Sequence, residues 1–256
     1  EQKKIAEILT AVDDAIEETD RIIEKTKELK KGLMQKLLTR GIGHKKFKET
    51  AIGKIPVEWE AGRLGDLCKG KPEYGANVSA LDRNDSLPRY VRITDVTDDG
   101  YLQASTWQSI DRRVAEPYIL GEGDFLFARS GATVGKTYLY RKEDGECAFA
   151  GYTIRFRPDS SKLLPEFLFQ FAHSEIYYNW VKSMLRAGAQ PNINGTEYAG
   201  LSVPKPPINE QKKIVNILSR MDEEIRNETN HKQTLEILKK SLMQVLLTGR
   251  VRVKLQ

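Results

Sequence analysis

Three observations predict an α+β fold: a globular mixed α/β domain joined to two long helices that form an antiparallel coiled coil. A 39-residue segment occurs twice, at residues 1–39 and 210–248, and the copies align without a gap with 18 identical positions. Such self-similarity marks a duplicated element. Both copies carry apolar residues at helical spacing and contain no proline. Residues 55–209 instead break into short strand-like runs separated by glycine- and aspartate-bearing turns. The expected divisions are therefore residues 1–41, 42–209 and 210–250.

In the first copy, Ile5, Leu9, Val12, Ile16, Thr19 and Ile23 step by fours and threes along one face. In the second, Ile214, Leu218, Met221 and Ile225 repeat that stripe. Leu235, Leu238, Leu242 and Leu246 are expected to resume it after the polar stretch 227–233. At about 1.5 Å of rise per residue, each helix would reach about 60 Å. A lone helix of this kind leaves its stripe in water, so each copy needs the other or another chain. Gly41–Lys54 reads as a linker. Strands are expected at Tyr90–Val96, Asp124–Ala128, Thr137–Tyr140 and Gly151–Phe156, and a helix at Pro165–Leu185. Pro204, Pro206 and Pro207 read as a stiff hinge, with Asn209 capping the second helix. Domain termini often lie close together. If those of the middle domain do, the two helices leave it side by side and antiparallel.

Composition narrows the function classes. Aliphatic and aromatic residues make up 39% of the 256 residues, which is ordinary for a folded globular chain and argues against disorder. Lysine and arginine number 41 against 36 acidic residues, a net charge of +5. That surplus permits nucleic-acid binding without requiring it. Cys68 and Cys147 are the only cysteines, which gives neither a disulfide framework nor zinc spacing and suits a reducing cytoplasm. No apolar run approaches the roughly 20 residues that span a membrane, and no signal-peptide pattern is read. The chain opens at Glu1 rather than methionine, so a trimmed product or a fragment is expected.

The order IPVEWEAGRLGDL (55–67), YVRITDV (90–96), GDFLFARSGATVGKT (123–137) and RAGAQPNINGTEYAGLSVPKPPINEQKKIV (186–215) resembles the specificity subunit of Type I restriction–modification enzymes. The resemblance covers essentially the whole chain. It implies that residues 1–41 and 210–250 are conserved spacer helices and that 42–209 is a target-recognition domain. A full member of the family has two such domains. With one, this chain resembles a half-subunit or the distal half of a full one. The resemblance also implies partners: double-stranded DNA, modification subunits that bind the methyl donor and flip an adenine, and a translocating restriction subunit. A homodimer through the helices would supply the second domain.

Gly131-Ala-Thr-Val-Gly135-Lys136-Thr137 invites a phosphate-loop reading, but the glycine required at position 130 is Ser130. The following residues alternate like a strand, so no helix N-terminus is expected to hold phosphate. The two readings left are a glycine-structured turn and a DNA-phosphate contact through Arg129, Ser130 or Lys136. The segment 186–194 offers Arg186, Gln190 and Asn192, whose guanidinium and amides suit bidentate base readout. Lys69, Lys71, Tyr74 and Asn77 combine basic, aromatic and amide groups in one glycine-bearing loop, and Arg112 and Arg113 sit in another. For each, solvated surface is the plain alternative. Trp59, Trp107 and Trp180 read as packing residues, and His44, His173 and His231 are too scattered to suggest a metal. No nucleophile, acid–base pair or metal cluster stands out. Neither a methyl-donor glycine loop nor the Asn/Asp-Pro-Pro-Tyr/Phe motif of adenine methyltransferases is present, and no cofactor is expected.

A non-catalytic DNA-recognition subunit directing methyltransferase and restriction subunits to a bipartite site is therefore expected. Its rivals are a stand-alone DNA methyltransferase or nuclease and a coiled-coil protein adaptor that does not bind DNA.

Overall fold

The computed structural model describes residues 1–185 and 190–253. In chain order the elements are α1 (Gln2–Arg40), β1 (Phe47–Thr50), β2 (Gly53–Pro56), β3 (Glu60–Arg63), β4 (Glu73–Tyr74), β5 (Arg89–Val91), α2 (Arg112–Ala115), β6 (Phe125–Ala128) and β7 (Thr137–Leu139). They continue with β8 (Cys147–Phe149), β9 (Thr153–Phe156), α3 (Pro165–Phe171), α4 (Glu175–Met184), α5 (Gly195–Ala199), β10 (Ser202–Lys205) and α6 (Ile208–Leu246). Two compact units result: Glu1–Met34 with Asn216–Gln256, and Gln35–Val215. Among the described residues, no helix is long and apolar enough to cross a membrane.

Within the first unit the two repeats pack antiparallel. Glu1 pairs with Arg252, Asp13 with Lys239, Asp20 with Lys232 and Lys30 with Asp222, so every step up α1 is matched by a step down α6. Ile23 and Leu246 are buried in the seam. Thr19 is buried there too, its hydroxyl donating to the Ala15 carbonyl at 2.8 Å. Lys30 and Asp222 are also largely enclosed, and an enclosed charge pair favours one register over others. Leu238, expected in the stripe, is 46% exposed. Lys239 beside it pairs with Asp13 of α1.

The second unit is built around β6. Its residues Phe125, Leu126, Phe127 and Ala128 are all fully buried, as a continuous apolar run on a strand covered on both faces requires. The strand order is β4-β9-β6-β7, all neighbours antiparallel. On one face the Phe127 ring packs against Tyr177 of α4 and Tyr198 of α5. On the other, Leu126 and Tyr138 join Val91 and Phe149 of the parallel pair β5–β8 in one apolar cluster. Strands β3 and β10 pair antiparallel, with Arg63 opposite Ser202 and Glu60 opposite Lys205. That pairing holds residues 60–63 beside residues 202–205.

Four local expectations need correction. Gly41–Lys54 is not a plain linker, because β1 and β2 form a hairpin closed by Ala51-Ile52, with Gly53 at φ +91°. The expected strand Tyr90–Val96 ends at Val91, where Ile93–Asp95 tighten into a 3-10 turn that the Asp95 side chain closes back onto Arg92. The expected helix Pro165–Leu185 is two helices, since Ser174 caps α4 by accepting from the Tyr177 N–H. Asn209 lies inside α6. The cap is the Pro207 carbonyl, which accepts from Glu210 N–H and Gln211 N–H at 2.8 and 3.0 Å. Pro204 sits in β10 on an edge, where its missing N–H costs nothing.

The start of α6 is held within the second unit by the side chains of Glu210 and Gln211. The Glu210 carboxylate accepts from Trp59 Nε1 at 2.9 Å and from the Ile42 N–H at 2.9 Å, and bonds His44 Nε2 at 2.9 Å. Gln211 is fully buried; it accepts from the Leu164 N–H and donates to the carbonyls of Lys162 and Pro206.

Candidate nucleic-acid interface

Backbone hydrogen bonds bring three sequence-distant loops together at one end of the central sheet. Arg129 and Ser130 leave β6. The Ile193 N–H donates to the Arg129 carbonyl at 2.8 Å, and the Gly131 N–H donates to the Pro191 carbonyl at 3.0 Å. Ser130 and Asn192 face each other as an antiparallel bridge. The third loop joins through Tyr74. Its ring lies under the Arg129 guanidinium at 5.0 Å, and its hydroxyl accepts from the Gly195 N–H at 3.0 Å. Arg129 Nε is buried without a partner.

The Tyr74 loop is held rigidly. Gly75 lies against the 149–150 backbone so closely that an added Cβ would stand 2.3 Å from the Ala150 carbonyl oxygen, so only glycine fits. Glu73 accepts from both Arg155 and Arg157. Arg155 is itself buried, donates to the Ile119 carbonyl at 2.8 Å and lies over the Phe149 ring. Burial pushes the Glu73 carboxyl up, but the hydrogen bonds from Arg157 and Arg155 outweigh it and hold the group below its usual range. Asp124, in the same network, goes the other way: its burial outweighs the Gly121 N–H and the two arginines.

The sequence-selected residues fall into distinct settings. Lys69, Lys71, Tyr74 and Asn77 are exposed on one loop, and Gln190 and Asn192 are exposed on the loop zipped to Ser130. Lys136 is half-buried and paired with Asp98 at 3.1 Å. Arg112 and Arg113 open α2 and are exposed, but Arg112 is engaged by Glu146 at 2.9 Å and by the Ser86 carbonyl. Arg186 lies outside the described residues. The glycine motif is a turn: Gly131–Thr133 make one 3-10 turn, and the strand β7 follows rather than a helix. Gly135 holds φ +87° there, with Val181 packed over it. Trp59 is fully buried. Trp107 is held between the guanidinium groups of Arg83 and Arg89, and Trp180 packs on Tyr177 and Tyr198.

Tyr152 was not singled out by sequence reasoning, yet it is 67% exposed at this end of the sheet, and its carbonyl accepts from the Arg129 N–H at 3.0 Å. An aromatic at a Gly-Tyr-Thr turn ahead of an apolar strand was the available signal. Both thiols are poor nucleophiles, burial pushing Cys68 and Cys147 each up to about 12. Among the described residues, no group of acidic, histidine and cysteine side chains is arranged to hold a metal ion. A cleft of about 460 Å³ lined by Ile52, Ile176, Trp180 and Leu201 shares no residue with the three loops.

The sequence profile described as "Type I restriction modification DNA specificity domain" matches residues 56–237. The chain belongs to this family. It is 29% identical over 99% of its length to the Type I restriction enzyme MjaVIII specificity subunit of Methanocaldococcus jannaschii, and 25% identical over 86% to the StySPI specificity subunit of Salmonella potsdam. It spans 61% and 48% of those two proteins. The fold matches the HsdS subunit from Thermoanaerobacter tengcongensis with a TM-score of 0.59 at 18% identity, covering 95% of this chain and 56% of that one. It also matches the Type-I restriction-modification system S subunit from M. genitalium, with a TM-score of 0.62 at 14% identity, covering 94% and 59%.

Proposed function

We propose that this chain reads DNA for a Type I restriction–modification complex and that partner subunits carry out methylation and cleavage. The observation that carries this reading is the convergence of the three loops, pinned to one another by backbone hydrogen bonds between Arg129, Ser130, Pro191 and Ile193 and by Arg129 over Tyr74. On this reading Lys69, Lys71, Arg129 and Ser130 grip phosphates and set the register, while Asn77, Gln190 and Asn192 reach base edges, a role also assigned to Arg186 from its residue type alone. Lys136, Arg112 and Arg113 are proposed as further DNA contacts, the first two partly neutralised by Asp98 and Glu146.

The helices act as a spacer of fixed length, and the repeat supports a second recognition domain at its far end. Glu210, Gln211 and Leu38 are enclosed in the globular unit. Their repeat counterparts Glu1, Gln2 and Leu247 are not, Leu247 being 62% exposed. Glu1 and the C-terminal end of α6 lie together through the Glu1–Arg252 pair. A domain of the same kind, from the rest of a longer chain or from a second copy, would cover them. The complete assembly would then bind a bipartite site, with modification and restriction subunits docked on the assembly in a reducing cytoplasm.

Selection from a randomised duplex pool with the modification subunit present tests this. The expected outcome is a split sequence with a constant gap. Lys69→Ala, Lys71→Ala and Arg129→Ala should each weaken binding and flatten its dependence on salt, by about one unit of log–log slope for each phosphate left unneutralised. Failure to retard any duplex at low salt, with or without the modification subunit, would overturn the proposal.

A further inference from the structure

Tyr152 combines two properties that seldom coincide away from an interface. Its ring is 67% exposed, yet its turn is fastened to two neighbouring loops by backbone hydrogen bonds. The turn 150–153 is closed by the Thr153 N–H donating to the Ala150 carbonyl at 3.0 Å, and the buried Thr153 hydroxyl donates to the same oxygen at 2.6 Å. The Gly151 N–H donates to the Ala76 carbonyl at 2.7 Å, which ties the turn to the loop bearing Tyr74 and Asn77. The Tyr152 carbonyl accepts from Arg129 N–H, which ties it to the loop bearing Ser130 and, through the Ser130–Asn192 bridge, to the third.

An exposed ring on mobile backbone would lose on binding much of what it gained, because the loop would have to be ordered. Here the backbone is already ordered, and a tyrosine has only two side-chain torsions to fix. The ring carries no net charge. What it offers a duplex is an apolar face for deoxyribose or a thymine methyl, with a hydroxyl at its edge.

We infer that Tyr152 is a DNA-contacting anchor at the junction of the three loops, acting through apolar contact of its ring with sugar or base edges rather than through a phosphate. The inference rests on the DNA-reading function proposed above. It separates from the lysine and arginine contacts by its salt signature. Counterion release follows neutralised phosphates, so removing an uncharged anchor lowers affinity at every salt concentration by the same factor.

The test measures binding of the full chain to a randomised duplex pool across a salt series, with the modification subunit present, for wild type, Tyr152→Ala, Tyr152→Phe and Arg129→Ala. Tyr152→Ala is expected to weaken binding about tenfold or more, the loss that separates an energetic anchor from the majority of interface residues, with the salt slope unchanged. Tyr152→Phe should bind within a factor of about two of wild type, since the ring stays. Arg129→Ala should reduce the slope. Because the ring is exposed, both Tyr152 variants should keep the wild-type thermal midpoint, so a binding loss reports the anchor and not the fold. Wild-type binding with Tyr152→Ala unchanged overturns the anchor and leaves the DNA reading intact. A parallel fall in slope for Tyr152→Ala overturns its apolar character. No duplex binding by wild type overturns both.

Discussion

Substituting Glu210 probes how the start of α6 is held within the second unit. Its carboxylate is the acceptor for the indole N–H of Trp59, a residue with no solvent exposure, and it also meets Ile42 N–H and His44 Nε2 at 2.9 Å. Glu210→Ala leaves the Trp59 donor buried without a partner, which costs about 1–3 kcal/mol. The His44 bond adds about 1 kcal/mol, and the Ile42 N–H adds little because that residue can turn to water. The expected loss is about 2–4 kcal/mol in all. Urea unfolding followed by tryptophan fluorescence measures it, since Trp59, Trp107 and Trp180 all lie in the second unit. Glu1→Ala, the same change at the matching position of the other repeat, is the control. Glu1 meets a largely exposed Arg252, so no measurable change is expected. Trp59→Phe should cost less in the Glu210→Ala background than alone, because the two residues share one bond. If Glu210→Ala unfolded within about 0.5 kcal/mol of wild type, these bonds would be wrongly assigned.

Two further outcomes follow from the packing behind Tyr74. Glu73 is held below its ordinary value of 4.5 in the folded protein, so its contribution is complete above that value and is lost as pH falls through the depressed one. Glu73→Gln should therefore be less stable than wild type near neutrality, with the difference closing in acid; a constant difference in melting temperature down the pH series would refute this. Asp124 titrates with the opposite sign and shares Arg155 and Arg157 with Glu73, so the same comparison is made in an Asp124→Asn background, where the Glu73 difference should still close in acid. Gly75→Ala places a methyl 2.3 Å from the Ala150 oxygen and 2.4 Å from that of Phe149, both backbone atoms that cannot swing away. It should cost about 1–3 kcal/mol and raise amide exchange across 74–77 and 150–153. Unchanged exchange there would mean that the two segments are not pressed together.

What the chain disclosed before folding was whatever depends on period and repetition. Two matching apolar stripes at either end required two long helices, and the run Asp124–Ala128 predicted a strand, which the structure buries on both faces and places inside the sheet. Both signals are local, because burial on one or two faces repeats every few residues. Leu238 departs from its expected place because a stripe drifts along a helix, and only the partner's Asp13 decides whether a leucine or Lys239 faces it. The hairpin at 47–56 pairs locally but turns on Ala51-Ile52, which carries no strong hairpin signal; strand β10 owes its existence to a partner distant in sequence, Glu60–Arg63 lying 139 to 145 positions from Ser202–Lys205. The same holds at the candidate interface. Residue types alone nominated Lys69, Tyr74, Arg129, Gln190 and Asn192 as separate loops. Their meeting was decided by hydrogen bonds such as Ile193 N–H to the Arg129 carbonyl, made between backbone atoms that every residue carries. Backbone groups leave no trace in composition or motif, so tertiary structure alone could join those loops and set the Tyr152 ring among them.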